Sequence, residues 1–463
     1  MGCQVASLLE WLSATTAVSH DKVTISHEGV AINHDQKWLS ATTRTTYPMT
    51  FRTPPERLDG AVSVRYLLCP RARTLAFGQG SPLTRRVLLS AGAVKGLFAF
   101  TPHAFSMVML MADFLPLFAL GAILMEAGMG RAKGATHSFV KGMVALGVGV
   151  LIGAVGGSWR EALLCGTAAL SATVGLGDRI TLVAAAVLAT GIAIAHRILV
   201  VTDRAFSLSG AFHLPEALAG WASVQKWLAT YWLPDYASLW SVHALAGGAA
   251  LGALMMAGPR IGRYLRNGQP AAMPAHNLPM AGIGALLLWV GAQAFSPPLW
   301  QGASVSAFSA LLTALLWTRW RFGKTDPSFA FTGFWSGLIA GIGSGVRFLP
   351  SLAVGVVVGI IAVAFSLALD RRFVDDPVGI VAAEGLAPLL GITAQWFWGE
   401  ASWGVGVISW GVAVLAGFVM ARCLGGLLRA FGVLRPAPAD ELAGTDLRLY
   451  GIAAYPEFEL REA

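Results

Sequence analysis

The sequence has little charge, since Asp, Glu, Lys and Arg together make up 13% of its 463 residues. A water-soluble domain carries about 25% charged residues on average. Hydrophobic residues account for 55% of the chain, so lipid rather than water must solvate most of its length. The shortage of charge therefore excludes an ordinary soluble protein and predicts a protein embedded in a membrane.

Motifs for several kinds of chemistry are also missing. The four cysteines, Cys3, Cys69, Cys165 and Cys423, are scattered and lack the spacing of a metal site. We find no Gly-rich phosphate loop and no nucleophile elbow. The net charge is +8, but the basic residues cluster between apolar stretches, which indicates membrane topology rather than nucleic-acid binding. We therefore expect no catalytic residues, no metal, no cofactor and no nucleic-acid partner.

Eleven apolar stretches of about membrane-spanning length follow one another along the chain. Apolar length and breaker residues place them at 105–126, 138–156, 160–176, 180–201, 237–257, 277–295, 303–320, 327–345, 349–369, 377–397 and 403–427. The 54 glycines suit membrane helices that approach one another closely. We predict an all-α polytopic membrane protein with 11 transmembrane helices and a transmembrane domain over 105–427.

The two ends of the chain differ from this domain. Residues 1–104 form a predicted N-terminal extension, partly disordered, because its first 88 residues are polar and show no sustained apolar period. Within it, 85–103 has a basic start and a short apolar run, which is a possible signal-like segment; a plain disordered extension is the alternative. Residues 428–463 form a predicted cytosolic C-terminal tail.

Positive charge is distributed unevenly between the loops. The loops after odd-numbered stretches carry Arg131, Lys133, Lys141, Arg179, Arg260, Arg263, Arg266, Arg319, Arg321, Lys324, Arg371 and Arg372. The loops after even-numbered stretches carry fewer basic residues. Because basic loops stay in the cytoplasm, we expect the N-terminus outside and the C-terminus inside. The alanine-rich, bacterial style of the sequence favours a cell inner (plasma) membrane.

Two titratable side chains lie deep inside apolar stretches that are candidates for facing a pore. These are His243, in the fifth stretch, and Glu384, in the tenth. A charge at this depth costs about 2.5–3.5 kcal/mol, so such residues usually face a pore or a partner. If stretches 1–5 and 6–10 form a 5+5 inverted repeat, the two residues occupy equivalent positions beside a midplane site. The alternatives are a satisfied core histidine and a glutamate that is paired only for solvation.

Several short motifs occur in a fixed order between residues 178 and 455. They are Asp178-Arg-Ile180, Asp235 eight residues before His243, His276-Asn-Leu-Pro-Met280, Asp375-Asp-Pro377, and Gly444-Thr-Asp446 followed by Gly451 and Tyr455. On these motifs, the chain from about 105 to 455 resembles the ammonium transporter (Amt/Mep/Rh) family. The resemblance implies a homotrimer in membrane lipid, with one pore through each subunit. Each pore would recruit ammonium at its outer mouth and conduct ammonia.

The resemblance also implies roles for individual residues. His243 would be the first of two paired pore histidines, and Glu384 stands at the position of the second. Phe295 would be the inner phenylalanine of the gate, and Asp235 would support the outer ammonium site from behind. A histidine and a carboxyl group can both donate and accept protons, so the pair could act as a proton relay.

The sequence departs from the family pattern at the outer site. Leu164 stands where the outer gate phenylalanine is usual, and Leu299 stands where a serine is usual. Trp221 is a candidate for the aromatic residue that caps this site, although it is offset by two residues. Losing a hydroxyl and one cation–π contact, which is worth about 0.5–2 kcal/mol, should weaken recruitment without abolishing it.

These observations predict a channel or transporter for ammonium or ammonia. A non-conducting ammonium sensor or regulatory subunit on the same scaffold is the alternative, motivated by the altered outer site. A channel retuned to another small solute or cation is a third possibility, motivated by the carboxyl group. The resemblance also makes a cytosolic PII-type regulator a possible partner of the tail, which has Tyr450 and Ile452 where histidine and an acidic residue are usual.

Overall fold

The computed structural model describes residues 22–34, 37–40, 44–49, 62–66, 73–77, 114–207, 238–295, 297–344, 347–398 and 403–456. The chain divides into two compact units, Met1–Met109 and Leu110–Ala463. The division lies close to the boundary predicted at residue 104. The predicted signal-like segment at 85–103 lies outside the described residues, and so do the predicted outer-site residues Trp221 and Asp235.

The first unit contains β-strands that the sequence analysis did not predict. They are β1 (Lys22–His34), β2 (Lys37–Ser40), β3 (Arg44–Met49), β4 (Val62–Tyr66) and β5 (Arg73–Phe77). β1 pairs antiparallel with both β2 and β3, in the order β2-β1-β3. β4 and β5 form a separate antiparallel pair. The predicted disorder of the extension stays a prediction.

Helices of the second unit follow the predicted apolar stretches one by one. They are α1 (Leu115–Met129), α2 (Ala135–Ala154), α3 (Trp159–Ser171), α4 (Leu182–Ser207), α5 (Leu245–Ala257), α6 (Leu278–Ala292), α7 (Trp300–Phe322), α8 (Pro327–Gly341), α9 (Phe348–Asp370), α10 (Ala387–Phe397) and α11 (Trp403–Ala430). One turn of π-helix, Leu239–Ala244, leads into α5, and another, Val381–Leu386, leads into α10. Two short helices, α12 (Pro438–Ala443) and α13 (Thr445–Tyr450), follow.

The helical unit is that of a multi-pass membrane protein. Among the described residues, five helical segments are long and apolar enough to cross a membrane: Ala132–Ala154, Leu182–Val200, Leu239–Ala257, Phe348–Asp370 and Trp403–Ala430. The helices α1 and α6 are apolar but shorter. The outward face of α6 carries the large apolar side chains of Ile283 and Leu286, which suit lipid.

Small residues allow the helices to pack closely. A Cβ on Gly121 of α1 would lie 2.5 Å from the backbone of Gly284 in α6, so this crossing requires glycine. The helix α2 packs on α3 and α4, and α7 packs in the same way on α8 and α9. The helix α5 packs against α11 and against the π-helical turn before α10. This last crossing brings the turns that contain His243 and Glu384 together.

The prediction that Lys141 lies in a loop was wrong. Lys141 lies inside α2 and is fully buried, and its Nζ donates to Glu126 Oε1 at 2.5 Å and to the Thr173 carbonyl at 2.6 Å. A buried ammonium group is tolerated when an opposite charge and further hydrogen bonds satisfy it. Hydropathy alone could not reveal this pairing, because Glu126 belongs to a different helix. Lys141 therefore carries no weight in the charge balance of the loops.

Candidate functional site

The site is built around a direct contact between His243 and Glu384. The imidazole Nδ1 and Glu384 Oε2 lie 2.6 Å apart, and both side chains are completely buried. A third side chain completes the arrangement, because Trp335 of α8 donates its indole N–H to Glu384 Oε1 at 3.0 Å. Both carboxyl oxygens thus have a partner. The hydrogen bonds join three different helices at one point in the core of the unit.

Aromatic rings surround the imidazole. The Phe295 ring lies 4.7 Å from the His243 ring, between centroids, and the Phe118 ring lies 6.0 Å from it. Phe118 also meets Phe295 edge-on at 5.0 Å and Trp335 at 6.1 Å. Within the described part of the chain, the second imidazole nitrogen, Nε2, is buried and has no hydrogen-bond partner. His243 therefore has one nitrogen bound to a carboxyl group and one available inside an apolar, aromatic environment.

Both polar residues occupy π-helical turns, an uncommon local structure that often marks functional sites. The turn with His243 follows Ser238, a non-glycine residue at φ 62°. Such a conformation is strained for serine. The turn with Glu384 begins differently, because the Asp376 carboxylate accepts hydrogen bonds from the backbone of Gly379, Ile380 and Val381. Each turn places one polar side chain at the helix crossing.

The arrangement can hold and exchange protons. A carboxyl group and an imidazole in contact can share a proton, and the second imidazole nitrogen can donate or accept, depending on its protonation. Among the described residues, no group of three or more His, Cys, Asp and Glu side chains could hold a metal ion. The chemistry that these two side chains can supply is hydrogen bonding and proton exchange.

The structure places the other predicted residues as follows. Phe295 follows α6, which ends at Ala292, and lies against His243; its backbone carbonyl accepts a hydrogen bond from Arg160 at 3.3 Å. Leu164 is buried in α3, and Leu299 is buried directly before α7. Trp221 and Asp235 lie outside the described residues.

Two residues of the site were not predicted from the sequence. Trp335 could have been noticed because it stands mid-helix among small residues, in Thr-Gly-Phe-Trp-Ser-Gly, whereas tryptophans of membrane proteins are typical of span ends. Phe118 carried no such signal, since it is one of 23 phenylalanines in an apolar chain.

The acidic motif residues brace helix ends instead of lining the buried pair. Arg260 donates to both oxygens of Asp375, each at 2.8 Å, and Arg179 lies 3.6 Å from it. Burial alone would raise the pKa of Asp375, but the charge of Arg179 and the hydrogen bonds from Arg260 lower it well below its usual range. Burial raises the pKa of the neighbouring Asp376, against the effect of its three backbone donors.

The C-terminal segment docks on the start of α2 and on nearby arginines. The Asp446 carboxylate accepts from the backbone N–H groups of Thr136 and His137 at 2.9 and 2.7 Å, which caps the start of α2. Glu441 is buried and bonds both Arg131 and Arg435. Burial would raise the pKa of Glu441, but its backbone and arginine partners lower it below the ordinary 4.5. Asp446 of the tail motif therefore fixes the tail to the start of α2.

A bundle of apolar helices around a buried polar pair defines an all-α membrane transporter fold. Residues 178–455 match the family model of the Ammonium Transporter Family. The chain therefore belongs to the ammonium transporter family, and the resemblance inferred from the motifs is confirmed.

Individual relatives agree with this assignment. The chain is 28% identical over 282 residues to ammonium transporter Amt2 of Archaeoglobus fulgidus, covering 52% of this chain and 60% of that protein. It is 24% identical over 396 residues to Amt2 of Haloferax mediterranei, covering 73% and 86%. The solved structure of a Sensor Amt Protein shares the fold with a TM-score of 0.63 at 20% identity, covering 74% of this chain and 97% of that one. The chain therefore matches only about 60% of the length of the Archaeoglobus fulgidus transporter.

Proposed function

We propose that this protein transports ammonium or ammonia across a membrane, past His243 and Glu384. The observation that carries the proposal is the buried hydrogen bond of 2.6 Å between the two side chains, at the crossing of α5 and the turn before α10. Family membership supports the substrate, because the matching model and the relatives are ammonium transporters. The site offers proton exchange in an apolar environment, which is what the passage of ammonia from ammonium requires.

Phe295 is the proposed gate, because its ring covers the imidazole and packs against Phe118. Leu164 and Leu299 contribute apolar surface where an aromatic ring and a hydroxyl would strengthen the recruitment of ammonium. Asp235 and Trp221 are proposed for the outer ammonium site on the sequence motif alone. An outer site of this composition should bind ammonium weakly.

The proposed architecture has 11 transmembrane helices with a 5+5 inverted repeat. Two observations support the repeat: α2 packs on α3 and α4 as α7 packs on α8 and α9, and π-helical turns lead into both α5 and α10. With the N-terminus outside, the basic loops and the tail face the cytoplasm, as the positive-inside rule requires. We further propose a homotrimer in a cell inner membrane, on the basis of the family.

The docked tail is the proposed regulatory element. Its contacts with the starts of α2 and α6, through Asp446 and through Tyr455 with His276 at 3.0 Å, would transmit a change in the tail to those helices. A cytosolic PII-type protein that displaced these contacts would be one such regulator. A transport measurement, rather than the presence of the tail, distinguishes a protein that conducts ammonium from one that only senses it.

The experiment is solid-supported-membrane electrophysiology on the purified full-length protein in liposomes. Pulses of ammonium, methylammonium and potassium are applied separately, and the internal pH of the vesicles is followed in parallel. A current from ammonium but not from potassium, or a rise in internal pH driven by ammonia, supports transport.

Other outcomes contradict the proposal. Ammonium binding without current or pH change would identify a sensor. A potassium current equal to the ammonium current would identify a channel retuned to cations.

A further inference from the structure

The two oxygens of Glu384 are bound differently, and this asymmetry fixes how His243 can act. The Trp335 indole N–H can only donate, and it donates to Oε1 at 3.0 Å. That hydrogen bond orients the carboxyl group so that Oε2 lies 2.6 Å from His243 Nδ1. We take the Glu384 carboxyl group as ionised; an ionised carboxylate can only accept, and the hydrogen of this second bond then belongs to Nδ1.

We infer that Trp335 and Glu384 act together as a positioning pair that holds His243 with its hydrogen on Nδ1, leaving the Nε2 lone pair as the single proton acceptor of the site. This inference deepens the proposed function and rests on it for the identity of the proton donor. It assigns Trp335 a role in the site and changes the role of Glu384. Glu384 would orient and charge the imidazole, while His243 alone would contact the substrate.

The environment of Nε2 fits this assignment. Nε2 is buried, it has no hydrogen-bond partner among the described residues, and the rings of Phe118 and Phe295 flank the imidazole. Both oxygens of Glu384, in contrast, are occupied by Trp335 and His243. A polar molecule that displaces these rings and reaches the pair would therefore meet an available nitrogen on His243 but no available oxygen on Glu384.

The proton step balances simply. An ammonium ion gives one proton to Nε2, the electron pair of the broken N–H bond stays on the ammonia nitrogen, and the Nε2 lone pair forms the new N–H bond. The pair changes from imidazole and carboxylate, with charge −1, to imidazolium and carboxylate, with charge zero. An orienting carboxylate that stabilises an imidazolium plays the same part in a Ser-His-Asp triad.

The variant Glu384→Gln tests the tautomer with almost no change of shape. The indole N–H of Trp335 would keep the amide oxygen on its own side, so the amide N–H₂ would face His243 and donate to Nδ1. That reversal moves the histidine hydrogen to Nε2 and removes the acceptor. We expect the ammonium-evoked current of Glu384→Gln to fall at least about 100-fold, as in an Asp→Asn change that fixes the wrong histidine tautomer.

The role of Trp335 is tested by comparing the effect of Trp335→Phe on the current in the wild type and in the Glu384→Gln variant. Trp335→Phe alone removes one hydrogen bond to a charged group, and the current should fall roughly tenfold. In the Glu384→Gln background, the same change should raise the current, because the amide is then free to turn its oxygen toward Nδ1. A merely structural tryptophan would lower the current in both backgrounds, and that result would overturn the assignment.

Trp410 supplies the matched control. Its indole N–H donates at 2.7 Å to the backbone carbonyl of Gly385, the residue next to Glu384, and it makes no hydrogen bond to the Glu384 side chain among the described contacts. Trp410→Phe should change the current by the same factor with Glu384 and with Glu384→Gln. A rise in the Gln background only would mean that the effect of Trp335→Phe is not specific to the carboxyl group.

A second readout does not depend on transport. The full-length protein is labelled with ¹⁵N-histidine and studied by nuclear magnetic resonance in ammonium-free, mildly alkaline buffer, and the His243 signal is identified by its loss in His243→Ala. We expect the Nδ1–H tautomer in the wild type and the Nε2–H tautomer in Glu384→Gln. An unchanged tautomer would overturn the inference even if transport is seen, whereas a switch without any transport would overturn only the proposed function.

Discussion

The two π-helical turns of the helical unit hold their polar residues in different ways. Glu384 has both oxygens bonded, by Trp335 and by His243, and its turn starts with the Asp376 cap. His243 has one bonded and one available nitrogen, lies against two phenylalanine rings, and follows the strained Ser238. The shared π-helical geometry of the two turns thus hides a difference in chemistry.

This difference teaches that a substituted position can change the role of its partner. The family resemblance implies a second imidazole at the position of Glu384. The Glu384 side chain is buried there, and the indole N–H of Trp335 donates a hydrogen bond to one of its two carboxyl oxygens. A lone buried carboxylate would be costly, and each hydrogen bond to a charged group recovers about 1.5–3 kcal/mol. We propose that the turn before α10 works as a support and that the turn before α5 carries the reactive nitrogen.

The largest expected effect on the ammonium current comes from replacing Glu384 by histidine, so that both π-helical turns carry an imidazole. Glu384→His alone would place an imidazole against the Trp335 ring and should lose most ammonium current. The double variant Glu384→His with Trp335→Leu provides room for two imidazoles and should recover roughly tenfold over the single change, about the effect of regaining a buried hydrogen bond. Electrophysiology on both variants checks this, and an equally inactive double variant would contradict it.

The crossing of the two turns offers a second comparison, between two glycines. A Cβ on Gly247 of α5 would collide with the backbone of Glu384 and Gly385, whereas a Cβ on Gly385 would meet its nearest atoms at 3.6 Å. Gly247→Ala should destabilise the protein by about 1–3 kcal/mol through overpacking. Gly385→Ala is the control and should leave the thermal unfolding temperature in detergent nearly unchanged; equal shifts would contradict the packing.

Removing the Asp376 cap of the turn that contains Glu384 should destabilise the protein less than Gly247→Ala does. Asp376→Ala removes the acceptor for three backbone N–H groups and should cost about 0.5–2 kcal/mol. Asp376→Asn keeps a side-chain oxygen and should lose less. The unfolding temperatures of the two variants, measured side by side, check the order, and a more damaging Asn variant would contradict the capping role.

Relieving the backbone strain at Ser238, before His243, should change the stability least, and it should stabilise the protein rather than destabilise it. Ser238→Gly places a residue that tolerates φ 62° at the start of the turn and should stabilise the protein by a few tenths of a kcal/mol up to about 1. A small rise in unfolding temperature with unchanged ammonium current is expected. A clear loss of stability would show that the serine side chain holds the turn.

Much of the helical unit could be predicted from the sequence. Long apolar stretches and breaker residues predict the order of the helices, because lipid requires apolar segments of sufficient length. The boundaries are less accurate, since α5 and α10 begin at Leu245 and Ala387, whereas the predicted stretches begin at 237 and 377. Lys141 was misplaced because its charge is neutralised by Glu126 on another helix, and no local pattern records such a pair. The strands of the first unit were missed for lack of any apolar period.

The candidate site could be predicted only in part. His243 and Glu384 stand out because titratable side chains are rare in apolar helices, and the motif before His243 fixes its position. Trp335 and Phe118 meet the pair only through tertiary packing of α8 and α1, so their contribution is invisible without coordinates. The partner of each Glu384 oxygen, from which the proposed role of Glu384 is inferred, also requires the structure.

The most direct test of the account compares the ammonium-evoked current of the wild type with that of His243→Ala. His196→Ala serves as the control, because His196 is another fully buried histidine of a membrane helix and has no part in the proposed site. The account predicts a current in the wild type and in His196→Ala, and none above protein-free liposomes in His243→Ala. A wild-type current that persists in His243→Ala would contradict the claim that ammonium gives its proton to this nitrogen.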